Sequence, residues 1–143
     1  MNITVRNAAP IDANAICSLS KQLGYEATVS ETAARLKVLA DSKTDAVFVA
    51  VSDDLVVGWV HAFYATRLES AAFVEIGGLV VDANIRGAGT GKLLVQNAIA
   101  WAQTHNVRNV RVRTNTLRLE THQFYQKIGF TQTKEQKVYD RRV

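Results

Sequence analysis

The chain has one cysteine, one proline and no apolar stretch approaching the length of a membrane helix, and each scarcity removes a class of protein. Cys17 alone cannot close an internal disulfide, and one cysteine with three scattered histidines, His61, His105 and His122, provides no ligand spacing for a metal. The longest apolar runs, 46–51 and 55–60, fall far short of the roughly 20 residues that a membrane helix requires. The N-terminal Met-Asn-Ile-Thr-Val-Arg has no signal-peptide core, so the expected location is the cytoplasm, with no membrane partner. No repeat, linker or low-complexity tract interrupts the sequence, and 143 residues suit one hydrophobic core, so 1–143 reads as a single domain.

What is present suits a packed globule. Hydrophobic residues make up 48% and charged residues 21%, enough apolar material for a core and too little charge bias for disorder. The net charge of +4 is concentrated after residue 85, in a set that includes Arg86, Lys92, Arg108, Arg111 and Arg113. That half should meet an anion, either a nucleic acid or a phosphorylated small molecule, and charge alone does not choose between them.

Periodicity predicts the elements. Ile3 to Asn7 alternates as a short strand, and Pro10 opens a helix with Ile11, Ala15, Ile16, Leu19 and Leu23 at helical spacing, closed by Gly24. Ser30 is the expected N-cap of a second helix carrying Ala33, Leu36, Val38 and Leu39. Strands are expected at 47–51 and 55–64 around the turn Ser52-Asp53-Asp54, and at 73–82, interrupted by Gly77-Gly78. Adjacent glycines inside a strand mark a bulge or a close approach of another backbone or a ligand. A helix at 92–105, a strand at 107–113, a short helix at 121–128 and a final strand at Val138 and Tyr139 complete the set. The expected class is three-layer α/β/α, a mixed, mainly antiparallel sheet with a bulged central strand and helices on both faces.

The chemically informative segment is Leu79-Val80-Val81-Asp82-Ala83-Asn84-Ile85-Arg86-Gly87-Ala88-Gly89-Thr90-Gly91-Lys92. A glycine-rich loop between strand and helix points backbone N–H groups at one spot and adds the positive end of the helix dipole, which suits a phosphate. A P-loop would need Gly where Arg86 stands and Ser or Thr where Leu93 stands. The dinucleotide fingerprint would need a third Gly where Lys92 stands, and an acidic residue where Val107-Arg108-Asn109-Val110-Arg111 follows.

What fits is Arg86-x-x-Gly89-x-Gly91, which resembles the acetyl-CoA pyrophosphate loop of the GNAT superfamily of N-acetyltransferases. A second stretch resembles the same family: Asn115, then Phe124-Tyr125 and Gly129-Phe130 around a short helix. The resemblance implies an acyltransferase that passes the acetyl group of acetyl-CoA directly to a primary amine, with a small-molecule acceptor favoured over a protein and no metal. It implies that the main chain of Leu79, Val80 and Val81 bonds the pantetheine arm, that Arg86, Gly87, Ala88, Gly89, Thr90, Gly91 and Lys92 hold the pyrophosphate, and that Asn115 steadies the arm. Catalysis needs a base for the ammonium and a donor for the departing thiolate. Glu75, just before the glycine pair, matches a frequent base of the family, and Tyr125 matches its acid.

Each assignment has a plainer counterpart. Glu75 reads equally as a half-exposed strand carboxylate paired with a cation, Tyr125 as a packed ring, and His122 as a helix-end residue. Trp59, His61, Phe63 and Tyr64 alternate along the strand, and whichever parity faces the cleft would shape an acceptor pocket, with ordinary sheet packing as the counterpart. Other classes are a non-catalytic acyl-CoA-binding module, a protein or peptide N-acetyltransferase and a nucleic-acid-binding regulator; no nucleic-acid motif accompanies the basic residues. Homodimers are common in the family, but no residue demands one.

Overall fold

The computed structural model describes residues 2–143 and divides into two compact units, 1–112 and 113–143. The first unit holds a five-stranded sheet in the order β1 (Ile3–Asn7), β2 (Asp45–Ser52), β3 (Leu55–Ala65), β4 (Phe73–Val81) and β5 (Val110–Val112). Neighbours are antiparallel except β4 and β5, which are parallel. That parallel pair needs a crossover, supplied by α3 (Thr90–Thr104). The sheet is mixed and mainly antiparallel, as the hairpin signals imply.

Strand alternation sorts the residues into two faces. Val47, Val49, Val51, Val56 and Trp59 pack on one face with Ala13 and Ile16 of α1 (Ala13–Lys21) and Leu36 of α2 (Val29–Asp41). On the other face Gly58, Val60 and Ala62 of β3 are buried beneath α3, whose Leu94, Val95, Ala98 and Ala102 form its inward stripe. A Cβ at Gly58 would come 3.0 Å from the Val80 carbonyl oxygen and 3.1 Å from Leu94 Cδ1, so the glycine lets the start of α3 settle on the sheet.

Several expectations need correction. A 3₁₀ turn at Pro10–Asp12 precedes α1 and turns Ile11 outward, 86% exposed. The second helix is capped by Thr28 rather than Ser30: Thr28 Oγ1 accepts from the Glu31 N–H at 3.0 Å and Glu31 returns a bond to the Thr28 N–H at 2.9 Å. Val38, one of the apolar residues by which that helix is read, is exposed. No final strand forms at Val138 and Tyr139: 131–143 have no regular structure and both side chains are exposed. Residues prone to β structure form a strand only where another strand offers its ladder.

The second unit contains α4 (Leu119–Lys127), with Tyr125 on its buried side and its ring edge-on to Phe124 and Phe130. No helix among the described residues is long and apolar enough to cross a membrane.

Candidate active site

In the first unit the site is organised by a one-residue bulge. His61 of β3 pairs with Gly78 and Ala62 with Ile76, leaving Gly77 as the extra residue of β4. Gly77 is exposed although its predecessors Phe73, Val74, Glu75 and Ile76 are all buried. A Cβ at Gly78 would lie 2.8 Å from the Trp59 ring, which is why the position excludes a side chain. The indole is held there from below, with Trp59 Nε1 donating to Ser20 Oγ of α1 at 3.2 Å.

The bulge coincides with the end of strand pairing. β5 pairs with β4 only over Val74, Glu75 and Ile76 and stops at Val112. From Gly77 to Val81, β4 is bonded to β3 alone, so the main chain of Leu79, Val80 and Val81 keeps one ladder edge without a strand. An open edge in mid-sheet can bond an extended, amide-bearing ligand as another strand would.

That edge runs into the glycine-rich loop. A 3₁₀ turn at Ala83–Ile85 follows Asp82, and Gly87 and Gly89 adopt φ of +89° and +84° with nothing within 4 Å of where a Cβ would stand. These left-handed conformations favour glycine and leave a concave, open main chain. The first intrahelical bond of α3 runs from Leu93 N–H to Gly89 O at 3.0 Å, so the N–H groups of Thr90, Gly91 and Lys92 point outward as the unsatisfied start of the helix. Gly87, Ala88 and Gly89 are exposed, and Arg86 and Lys92 extend from either end of the segment. Thr90 differs: its side chain is buried, and its hydroxyl is without a partner. Backbone donors, two cations and a helix dipole together fit a diphosphate.

The loop is anchored by a residue that motif reading does not reach. Gln22, at the end of α1, accepts the Ala83 N–H on Oε1 at 2.9 Å and donates through Nε2 to Asp82 Oδ1 at 3.4 Å. The two segments lie some 60 positions apart, and no local signal joins them.

Glu75 lies on β4 opposite Phe63, on the same face as Trp59 and His61, and is 9% exposed rather than half-exposed. Tyr64 points to the other face, toward His105. Beside the bulge, His61 Nε2 meets Asp45 Oδ1 at 2.7 Å, while Ser42 Oγ donates to Asp45 Oδ2 at 2.7 Å. Burial alone would raise the Asp45 carboxyl, but the bonds from His61, Ser42 and Thr44 outweigh it and hold the group below the ordinary range. The carboxylate therefore orients the imidazole.

Asn115 and Tyr125 belong to the second unit. Asn115 Oδ1 accepts the Leu117 N–H at 2.9 Å and its carbonyl accepts from Arg118 N–H and His122 Nε2, so His122 braces this turn. Burial pushes the Tyr125 phenol up to about 12 against the opposing charge of Arg118, which keeps it protonated.

A family profile described as the acetyltransferase (GNAT) family matches residues 16–130. The chain belongs to the GNAT acetyltransferase family. Within the family, it is 34% identical over 83 residues to N-acetylaspartate synthetase of Rattus norvegicus and, over the same length, to that of Homo sapiens. Those matches take in 58% of this chain but only 27% and 26% of the relatives, so the chain spans about a quarter of their length. Among solved structures, the GNAT fold here resembles aminoglycoside N-acetyltransferase AAC(6')-Iy in complex with CoA, with a TM-score of 0.88 at 20% identity over 99% of this chain and 96% of that one. A transcriptional regulator from Bacillus halodurans C-125 matches at TM-score 0.85 and 23% identity, over 97% and 99% of the two chains. At such identities the likeness is one of fold.

Proposed function

We propose that the protein is an N-acetyltransferase that moves the acetyl group of acetyl-CoA to a primary amine of a small molecule, and that residues 1–143 act as one catalytic domain. The family match runs across the boundary between the two units, which supports the last point. The observation that carries the reading is the coincidence of the Gly77 bulge with the end of β4–β5 pairing, immediately upstream of a diphosphate-shaped loop.

In this reading the open main chain of Leu79, Val80 and Val81 bonds the pantetheine amides, residues 86–92 hold the pyrophosphate and Asn115 steadies the arm. Glu75 takes the ammonium proton, freeing the nitrogen lone pair; the C–N bond forms, the C–S bond breaks, CoA leaves as a thiolate, and the acylated nitrogen gives up its second proton to solvent. Tyr125 is assigned as the donor to that sulfur. A phenol near 12 is a weaker acid than a thiol of about 8.5, so Tyr125 would steady the thiolate by a hydrogen bond before giving up any proton. No described group of residues has metal-ligand character, and none is invoked.

The relatives' names do not choose the acceptor, since they include an N-acetylaspartate synthetase and an aminoglycoside N-acetyltransferase. The test of the cofactor assignment is thermal unfolding with CoA: the wild type should gain melting temperature by mass action, and Gly89→Asp should lose the gain. A folded Gly89→Asp protein with unchanged CoA affinity would remove the loop from the site, and a wild type unmoved by millimolar CoA would remove the reading itself.

A further inference from the structure

Beyond the bulge, at the end of β4 remote from the glycine-rich loop, Phe73 is buried at 3% exposure, with two guanidinium groups against its ring. Arg111 Cζ of β5 lies 4.2 Å from the ring centroid and Arg67 Cζ, from the loop after β3, lies 5.5 Å from it. Phe73 and Glu75 share a face of β4, and Arg111 stands directly opposite Glu75 in the parallel register. Neither guanidinium forms an ion pair with a carboxylate of the described residues; Arg67 spends one N–H on the Thr66 carbonyl, at 3.2 Å.

Two cations held against one ring repel each other, and although the register sets Glu75 opposite Arg111, no ion pair joins a carboxylate to either guanidinium, so an incoming anion would be stabilised by both. Stacking leaves the in-plane N–H donors of a guanidinium available, and their fork matches a carboxylate. The anion cannot be the pyrophosphate: Phe73 is eight residues from Val81, about 25 Å along an extended strand. Glu75 by contrast is only two residues away, about 7 Å, the scale of one amino acid.

We propose that Arg67 and Arg111 bind a carboxylate carried by the acceptor, so that the substrate is an amine bearing an acid group, such as an amino acid, and not a polycation. This rests on the transferase reading for its chemistry, but the anion site is separable from it. A guanidinium–carboxylate contact at such a place should be worth about a 10- to 100-fold change in affinity.

The experiment compares L-aspartate, L-glutamate and glycine with their amides, and with spermidine and kanamycin, by two readouts: acetyl transfer from acetyl-CoA, and melting shift in the presence of CoA. The acids should bind and react with KM values at least tenfold below those of the amides. Arg111→Gln and Arg67→Gln should each erase that advantage by raising KM for the acids, while the melting shift with CoA alone persists and shows the variants to be folded. Arg67 is exposed on its loop, so its variant stands if Arg111→Gln fails to fold. Equal KM values for acids and amides, or preference for spermidine or kanamycin unaffected by either substitution, would overturn the anion site and leave the transferase standing. Arginine-dependent binding of the acids with no transfer would uphold the site and overturn the transferase.

Discussion

In the proposed reaction Glu75 and Tyr125 act on different protons, and their loss should therefore look different. If Glu75 accepts the ammonium proton, Glu75→Gln should lower turnover by roughly 10²- to 10⁴-fold, with partial rescue at high pH where the free amine no longer needs a base. Tyr125→Phe should cost less, because a thiolate is a tolerable leaving group, and should show no alkaline rescue. With the phenol at about 12, Tyr125 should contribute no alkaline limb below that value. Turnover against pH for the three proteins checks both points; near-wild-type activity of Glu75→Gln across the range would end its assignment as base. Gly78 poses a packing question at the same scale. A methyl group there would lie 2.8 Å from the Trp59 ring, so Gly78→Ala should destabilise by about 1–3 kcal/mol in urea unfolding.

Among the elements, α2 is the one whose stability depends most clearly on a cap. Thr28 and Glu31 satisfy each other's N–H groups, and Thr28→Ala should cost about 1 kcal/mol, read as a lower urea midpoint at unchanged slope. Because Thr28 lies in the α1–α2 connection and not in the loop proposed to hold the pyrophosphate, the CoA-induced melting shift should be retained. The β4–α3 connection is the opposite case: it was recognisable from Arg86-x-x-Gly89-x-Gly91, since the main-chain geometry it needs can be met only by glycine at particular steps. The final strand expected at Val138 and Tyr139 does not form, because a local preference for β structure cannot report whether a neighbour is there to pair with.

For the molecule as a whole, acid stability should depend on carboxylates held ionised by their partners. Asp12, 4% exposed, is bound to Arg6 at 2.8 and 2.9 Å and accepts the Ala9 N–H at 2.7 Å, and the Arg6 guanidinium is the main cause holding its carboxyl below the usual range. A depressed folded-state value adds stability that is fully present above the unfolded value, about 3.9, and disappears as pH falls through the folded one. Arg6→Gln should accordingly be less stable than wild type at pH 7, with the difference shrinking below about pH 4. A difference that stays constant between pH 7 and pH 2 would exclude the linkage. Asp45 should add to the same acid sensitivity through His61 and Ser42.

Neighbours along the chain account for the amphipathic helices, the β2–β3 hairpin, the glycine pair as a bulge, and the glycine-rich loop with its flanking cations. These follow from periodicity and from φ values that only glycine adopts easily. The tertiary structure decided what depends on residues distant in sequence. Register made Gly77 the extra residue and ended β5 at Val112, which opened the main chain of Leu79 to Val81; packing put Gln22 on Asp82 and Ala83, Asp45 on His61, and Arg67 and Arg111 on one phenyl ring. Local sequence carries no record of such meetings, because each is selected by the free energy of the whole packed sheet rather than by the preference of any segment.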